Sequence, residues 1–287
     1  MKRILFIYFL LAGTVSLFSQ HEKHFLWKGI EGMKSEKTRL YVYEPADSLR
    51  NDVSVIICPG GSYAHLYGIK WEGFEVAEWL NQQGITAFVL QYRVAQQGYR
   101  HPAMIQDIQR AIQWVRENSG TYKIDPDLVG VMGFSAGGHL SLMAGTFYDE
   151  DYLQKLPVTN SHSLKPAFIV PVYPVVSMQD SIAHKRSRKN LLGKNFDREM
   201  QDKFSMELQV NENMPPVFLV TTKDDPVVLC QNSIVLAEAL ENASVSYRFL
   251  LYEKGGHGFG MNKKKGGEAA EWKSLFKEWL MENGFIQ

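Results

Sequence analysis

Gly133-Phe134-Ser135-Ala136-Gly137 lies between an apolar run at residues 128–132 and a run of small residues at 138–144. This order predicts a strand, a tight turn and a helix, with Ser135 raised above the sheet edge in a strained backbone. The two glycines fit such a turn, because a Cβ at either position would collide with the neighbouring strand or helix. Glycine and serine are common, so the five residues also fit a plain glycine-rich turn. The flanking runs favour a nucleophilic serine.

Strand and helix patterns alternate along most of the chain. Several strand patterns are continuous apolar runs, as expected for parallel strands that are buried on both faces. Predicted strands occupy 38–44, 53–58, 85–90, 128–132, 168–173, 217–221 and 246–252, and predicted helices occupy 71–83, 102–118, 229–241 and the region around 272–280. Repeated strand–helix units predict an α/β fold, a mostly parallel sheet with helices on both faces.

Residues 177–214 interrupt this alternation. The stretch is polar and charged and lacks a clear period. A segment of this length is typical either of a small lid-like insertion over a site or of a surface excursion with one or two short helices. Both interpretations stay open at this point. Nothing else divides the chain, so one domain over residues 21–287 is expected.

The composition excludes some function classes. The 287 residues carry 31 basic and 31 acidic side chains, so the formal net charge is zero. Nothing in this balance indicates a nucleic-acid partner or an electrostatic membrane anchor. The two cysteines, Cys58 and Cys230, each lie in an apolar element. Because a domain of this size needs no bridge, free thiols are favoured over a disulfide.

The first twenty residues have the pattern of an export signal. Lys2 and Arg3 precede an apolar run from Ile4 to Phe18. That run is shorter than the stretch of about 20 residues that a membrane helix needs, so a cleaved signal peptide at 1–20 is favoured over a membrane anchor. The expected location is therefore secreted or periplasmic, with no membrane association after cleavage.

A serine hydroxyl becomes a good nucleophile when a base removes its proton, and the base is usually a histidine oriented by a carboxylate. In a strand–turn–helix site of this kind the chain order is serine, acid, histidine. The loop after the sixth predicted strand carries Asp224 and Asp225, and the loop after the seventh carries His257. The carboxyl ends of parallel strands share one sheet edge, so both loops are expected beside Ser135. His257 is the predicted base and Asp225 the predicted acid, with Asp224 as the competing acid.

The second predicted strand leads into a glycine-containing turn, Cys58-Pro59-Gly60-Gly61-Ser62-Tyr63. Glycines there let the backbone turn and direct N–H groups toward a developing oxyanion. We predict an oxyanion hole formed by the N–H group of Gly61 or Ser62 together with that of Ala136, which begins a helix. The alternative is an ordinary turn at the end of a strand.

Two aromatic residues near this turn, Tyr63 and Trp71, are candidate contacts for the substrate, although aromatic residues near a site more often serve packing. His139, one turn into the helix after the serine, is expected to be structural. No cluster of histidine, cysteine or carboxylate has the spacing of a metal site, and no phosphate loop or dinucleotide motif occurs. The sequence therefore predicts no metal and no cofactor.

Together these passages resemble the α/β-hydrolase superfamily, in particular its acetyl esterases and its carbohydrate esterases of the acetylxylan type. The resemblance runs from about residue 37 to 285 and is carried by residues 58–63, 90–93, 101–102, 106–107, 110–112, 133–139, 224–228 and 256–260. It implies an eight-stranded sheet and ester hydrolysis without a metal. It also implies the roles of nucleophile, acid and base for Ser135, Asp225 and His257.

The turn at 58–63 departs from one part of the resemblance. Pro59 stands where the common lipase pattern has a histidine. This start is shared by several relatives, so it is interpreted as variation within the group. It leaves the choice between Gly61 and Ser62 as oxyanion donor open.

The resemblance implies a secreted serine esterase that removes short acyl groups, above all acetyl, from carbohydrate such as xylan or its oligosaccharides. Some members of the group are named xylanases, but a serine relay does not suit glycosidic cleavage, which usually needs two carboxyl groups. Two alternatives stay open: a serine peptidase of the prolyl-oligopeptidase kind, and a non-catalytic binding protein on a hydrolase fold. The expected partner is a small-molecule or oligosaccharide ester, and the oligomeric state is left open.

Overall fold

One sheet of eight strands organises the residues that the computed structural model describes, namely 22–33, 38–159 and 162–287. The predicted signal peptide at 1–20 lies outside these described residues. The strands are β1 (Lys23–Phe25), β2 (Arg39–Tyr43), β3 (Ser54–Cys58), β4 (Thr86–Gln91), β5 (Val129–Phe134), β6 (Ile169–Val172), β7 (Val217–Thr222) and β8 (Tyr247–Tyr252).

Across the sheet the strands lie in the order β1-β2-β4-β3-β5-β6-β7-β8. The pairs β1–β2 and β2–β4 are antiparallel, and every other neighbouring pair is parallel. The order puts β5, which carries the serine turn, between β3 and β6 near the middle of the sheet. The predicted α/β fold with a mostly parallel, eight-stranded sheet is therefore confirmed.

The central strands are buried on both faces, which explains their uninterrupted apolar sequences. All five residues of β3 are buried. Successive side chains point to opposite faces, so Ile56 joins one hydrophobic core while Val55 and Ile57 join the other. Each core is closed by helices that cover that face of the sheet.

The helices are α1 (Glu75–Gln82), α2 (Ala103–Glu117), α3 (Ser119–Tyr122), α4 (Ala136–Thr146), α5 (Lys185–Leu192), α6 (Arg198–Lys203), α7 (Gln231–Asn242), α8 (Lys263–Gly266) and α9 (Trp272–Glu282). Helices α2, α4 and α7 supply residues to one core, and α1 and α9 supply the other. The helix predicted at 71–83 begins as a π-helical turn, Lys70–Phe74, and continues as α1.

The segment 177–214 forms two short helices, α5 and α6, and a 3₁₀ turn at Met206–Leu208. Its apolar residues Leu191, Phe204 and Met206 are buried in the core beside α4. The Asn190 side chain donates a hydrogen bond to the carbonyl of Ser62 at 2.9 Å, which ties the segment to the turn after β3. The short strand β1 was absent from the sequence prediction, because three residues are too few to show a period.

Both cysteines are free: Cys58 is buried at the end of β3, and Cys230 is partly exposed before α7. Within the described part of the chain, no helix combines the length and the apolar character that crossing a membrane requires.

His139 on α4 is fully buried between the turn after β3 and the 177–214 segment. Its Nδ1 accepts a hydrogen bond from the Tyr63 hydroxyl at 2.8 Å, and its Nε2 donates to the carbonyl of Phe204 at 2.9 Å. Burial lowers the pKa of His139 to about 4, and the bond to Phe204 opposes that shift. The neutral imidazole therefore joins the turn after β3, helix α4 and the 177–214 segment.

This buried histidine predicts that acid weakens the fold. The unfolded chain binds a proton at this position near pH 6.5, whereas the folded chain does so near pH 4. Stability is therefore lost as the pH falls from about 6.5 to about 4, by up to about 1.4 kcal/mol per pH unit. Urea unfolding at pH 7.5 and pH 5.0 should show a decrease of about 2 kcal/mol from this group.

The control is His139→Gln, which removes the titrating group from the same place. Its loss between the two pH values should be smaller than the wild-type loss by that amount, whatever its absolute stability. An equal pH dependence in both proteins would contradict a neutral buried histidine.

Candidate active site

The serine turn between β5 and α4 has the strained geometry that its sequence predicts. Ser135 has φ 55° and ψ −118°, a conformation that a residue with a side chain adopts rarely. A Cβ at Gly133 would lie 1.9 Å from the Gly137 carbonyl oxygen, and one at Gly137 would lie 2.0 Å from the Cys58 carbonyl oxygen. Glycine is therefore required at both places, because the helix starts in contact with its own strand and with β3.

Three side chains from different loops meet at this turn. The Ser135 hydroxyl donates to Nε2 of His257, with 2.9 Å between Oγ and Nε2. Nδ1 of His257 donates to Oδ2 of Asp225 at 2.7 Å. The other Asp225 oxygen accepts from the N–H groups of Val227 and Val228 at 2.8 and 2.9 Å. The carboxylate is thus held as an acceptor, and the imidazole has a fixed orientation.

The neighbouring aspartate has a different contact. Oδ1 of Asp224 accepts a hydrogen bond from the N–H group of Gly256 at 2.8 Å, next to the histidine. That bond lowers the pKa of Asp224. Asp225 contacts the imidazole and Asp224 contacts the backbone beside it, so the structure separates two residues between which the sequence left a choice.

Residues 253–260, which we call the histidine loop, present His257 between glycines. Gly255, Gly256, Gly258 and Gly260 all have positive φ, from 52° to 153°. Such a loop has many accessible conformations and needs outside contacts to hold one of them. Thr222 donates to the Gly256 carbonyl, and Trp272 donates to the Gly260 carbonyl at 2.8 Å; these contacts fix both sides of the histidine.

Residues 59–63, which we call the glycine loop, follow β3 and face the serine. Gly61 has φ 141° and Ser62 has φ 57°. A Cβ on Gly61 would lie 1.9 Å from the His65 carbonyl oxygen, so the turn requires glycine there. Among the described residues, the N–H groups of Gly61 and Ser62 donate no hydrogen bond. Ala136 begins α4, so its N–H group has no acceptor within the helix.

A cleft of about 240 Å³ connects these groups. The serine, the histidine and the glycine loop form one side, and residues 65–72 form the other. Its lining is Gly60, Gly61, Ser62, His65, Tyr67, Gly68, Trp71, Glu72, Ser135, Val227, His257, Gly258 and Lys265. Trp71 is 40% exposed and Tyr67 is 69% exposed, although one face of the Tyr67 ring is stacked on His65 with 3.8 Å between the centroids.

The expectation that Tyr63 contacts the substrate is not supported by its position. Its side chain is fully buried, packs edge-on against Tyr92 and bonds to His139. The physical reason is the left-handed backbone at Ser62 and Tyr63, which turns the ring into the core instead of the cleft. Tyr63 therefore anchors the end of the glycine loop in the core through its contacts with His139 and Tyr92.

Sequence reasoning missed two residues beside the imidazole. Glu72 is a buried carboxylate on the π-helical turn, and Tyr173 follows β6 with its ring centroid 4.8 Å from that of His257. Glu72 stands one helical turn before Val76 and two before Leu80, both of which are buried. An acidic residue on the apolar face of a predicted helix was the signal that could have found it.

No group of three or more histidine, cysteine, aspartate or glutamate side chains that could hold a metal ion occurs in the described ranges. A second cavity of about 570 Å³ is lined by residues around His101, Gln106 and Tyr152. It shares no lining residue with the cleft that contains Ser135.

Comparison with known proteins places this geometry among esterases. The sequence profile of the BD-FAE family matches residues 40–240. An acetylxylan esterase of Xylanibacter ruminicola is 30% identical over 91% of this chain and 51% of its own length. Endo-1,4-beta-xylanase B of Butyrivibrio fibrisolvens is 32% identical over 76% of this chain and 34% of its own length. The chain thus spans about half, or less, of these curated relatives.

A solved structure covers nearly the same residues. The acetyl ester-xyloside bifunctional hydrolase from Caldicellulosiruptor lactoaceticus is 36% identical and superposes with a TM-score of 0.83. The match covers 93% of this chain and 97% of that one. The predicted resemblance to α/β-hydrolase esterases is therefore confirmed.

Proposed function

This chain belongs to the BD-FAE family of α/β-hydrolase esterases, and we propose that it is a serine carboxylic-ester hydrolase that removes acetyl groups from carbohydrate. One observation carries the proposal: an unbroken relay from Oγ of Ser135 through His257 to the buried Asp225, with steps of 2.9 and 2.7 Å. This relay opens into a cleft bordered by unpaired backbone N–H groups.

In the proposed reaction, Oγ of Ser135 attacks the ester carbonyl carbon while Nε2 of His257 takes the hydroxyl proton. Asp225 stabilises the imidazolium that forms. The negative charge on the carbonyl oxygen is held by N–H groups of Ala136 and of Gly61 or Ser62. His257 then protonates the alcohol oxygen as it leaves, which produces an acetyl-serine. In the second half of the reaction, His257 takes a proton from a water molecule that attacks the acetyl carbonyl carbon. His257 then returns the proton to Oγ of Ser135 as the bond to the acetyl group breaks and acetate leaves.

The choice of ester hydrolysis over glycoside cleavage rests on the carboxyl groups. A glycosidase usually needs two of them on either side of the scissile bond. Asp225 stands behind the imidazole, and both oxygens of Glu72 accept hydrogen bonds from the protein. Neither is available as a free acid–base pair, so the xylanase name of one relative does not describe what this site is built to do.

Acetyl groups on carbohydrate fit the shape of the cleft. Its volume of about 240 Å³ accommodates an acetyl group beside Ser135, and its lining consists mostly of glycines and polar side chains. The exposed rings of Tyr67 and Trp71 offer apolar faces on which a sugar ring can lie. Two of the matched proteins, the acetylxylan esterase and the acetyl ester-xyloside hydrolase, are named for acetyl esters or xylan.

Substitution of the relay tests the mechanism. Ser135→Ala should lower kcat on an aryl acetate by about 10⁶, because it removes the nucleophile. Asp225→Asn should lower kcat by about 10⁴, because the asparagine no longer orients and stabilises the imidazolium. Steady-state kinetics with circular dichroism to verify folding measure both effects.

Asp224→Asn is the matched control, since it makes the same replacement of a carboxylate by an amide at the neighbouring residue. It removes the negative charge but keeps an oxygen that can accept from the N–H group of Gly256, so it should cost about tenfold or less. Wild-type turnover in Ser135→Ala, or an Asp224 effect larger than the Asp225 effect, would contradict the assigned roles.

The substrate class predicts an order of rates. Acetyl esters should be hydrolysed with kcat/KM about tenfold or more above octanoyl esters, with butyryl esters between them, because the cleft is lined mostly by glycines and polar side chains and offers a long alkyl chain little apolar surface to bury. Acetylated xylo-oligosaccharide should be deacetylated in the same panel, and proline-containing peptides should not be cleaved. A preference for octanoyl esters, or cleavage of the peptides alone, would reverse this assignment.

We also propose that residues 1–20 direct export to the periplasm or the medium. Support comes from the sequence, in which Lys2 and Arg3 precede a short apolar run. N-terminal sequencing of the exported protein should find a start close to residue 21. A mature protein that retains the first twenty residues would contradict the proposal.

A further inference from the structure

The carboxylate of Glu72 lies in the wall of the cleft and is only 4% exposed. Both of its oxygens are engaged. Oε2 accepts a hydrogen bond from the N–H group of Gly60 at 2.8 Å, and Oε1 accepts one from the Tyr173 hydroxyl at 2.9 Å. Burying a carboxylate costs free energy unless its charge is compensated, so these contacts need a reason beyond packing.

The fold is shaped to receive this carboxylate. A Cβ on Gly68 would lie 2.1 Å from Oε2, and one on Gly60 would lie 2.8 Å from the same oxygen. The two glycines therefore leave the space that the carboxylate occupies. Burial raises the pKa of Glu72, while the hydrogen bonds from Gly60 and Tyr173 and the nearby ammonium group of Lys265 favour the ionised form.

One end of the contact fixes the glycine loop. Gly60 precedes Gly61 and Ser62, whose N–H groups are the proposed oxyanion donors. Both residues have positive φ; the Gly61 carbonyl accepts from the N–H groups of Ala64 and His65, and the Ser62 carbonyl accepts from Asn190. The bond from Gly60 to Glu72 holds the loop on the side that these contacts leave open, directly before the peptide group that carries the Gly61 N–H. Donors aimed in advance are what make an oxyanion hole effective.

The other end fixes the histidine loop. The Tyr173 hydroxyl, which donates to Glu72, itself accepts from the N–H group of Gly260 at 3.0 Å. Gly260 lies three residues after His257. The Tyr173 ring also packs against the imidazole, with 4.8 Å between the centroids. One carboxylate therefore connects the loop that holds the base with the loop that offers the N–H groups.

We propose that Glu72 is a positioning residue, which sets the relative placement of the oxyanion donors and His257 through Gly60 and Tyr173. The inference rests on the proposed function, since it concerns the same site. It goes beyond the relay because Glu72 contacts neither Ser135 nor the nitrogen atoms of His257 in the hydrogen-bond network.

The hydrogen-bond directions make glutamine a sharp test. Tyr173 donates its hydroxyl proton to Glu72, because an ionised carboxylate can only accept, and the Tyr173 oxygen accepts from the N–H group of Gly260. The N–H group of Gly60 can only donate. A side chain with two accepting oxygens satisfies both partners, whereas a glutamine amide turns an NH₂ group toward one of them. Glu72→Gln keeps the size of the side chain but removes the charge and replaces the strong bond from Tyr173 to a carboxylate by a weaker contact with a neutral amide.

For Glu72→Gln we expect kcat on an aryl acetate to fall about tenfold to a hundredfold, with KM within about twofold of the wild-type value. The rate of labelling by a fluorophosphonate should fall in parallel, because that reaction also needs the base and the donors. Glu75→Gln, an exposed carboxylate at the start of α1, is the matched control and should keep wild-type kinetics.

Tyr173→Phe is the second variant, since it keeps the ring beside His257 and removes only the hydroxyl. It should lower kcat in the same direction, and the double variant should lose less than the product of the two single losses, because both break one chain of contacts. This variant decides the question if Glu72→Gln does not fold.

Unchanged kcat in folded Glu72→Gln or Tyr173→Phe, even with a lower melting temperature, would overturn the inference and leave the proposed function intact. Absence of esterase activity and of serine labelling in the wild-type protein would instead overturn the proposed function.

Discussion

The site depends on one strained residue. Ser135 occupies a left-handed conformation that costs of the order of 1–3 kcal/mol, and the surrounding structure must hold it there. Its N–H group donates to the Val172 carbonyl at 3.0 Å, and its own carbonyl accepts from Val175 at 3.1 Å. These bonds anchor the turn to the chain that leaves β6. The hydroxyl is therefore lifted out of the sheet by contacts in the middle of the core, where few rearrangements are available.

The other components reach this hydroxyl because parallel strands end at one edge. β3, β5, β7 and β8 each deliver a loop there, so residues far apart in the chain become neighbours without any long-range flexibility. The loops differ in how they are held. The Asp225 carboxylate is fixed by two adjacent N–H groups, whereas the histidine loop contains four glycines with positive φ and depends on contacts from other elements. The histidine loop is thus the part of the site that depends most on contacts with other elements.

This difference explains what could be predicted from the sequence. Buried strands such as β3 and β5 are recognisable in the sequence as apolar runs. The serine turn is recognisable from Gly133 and Gly137, which lie between such a run and a helix. Asp225 and His257 follow from chain order and strand ends. Its position in the sequence near the glycine loop suggested that Tyr63 contacts the substrate. The positive φ values of Ser62 and Tyr63 turn the ring into the core, and no local sequence pattern predicts these φ values. Glu72 and Tyr173 are 101 residues apart, so their contact exists in the tertiary structure alone.

Cavity size is a poor guide to the site in this molecule, and the chemistry of the linings shows why. The cavity beside His101 has more than twice the volume of the serine cleft, yet burial lowers the pKa of that histidine to about 4. A neutral imidazole could act as a base, but the described lining of that cavity contains no serine, threonine or cysteine for it to activate. The smaller cleft brings together a hydroxyl, an oriented base and backbone N–H groups around one space. Rate enhancement comes from groups that are aligned on the reacting atoms before the substrate arrives, so the positions of these groups, and not the size of a cavity, identify the site.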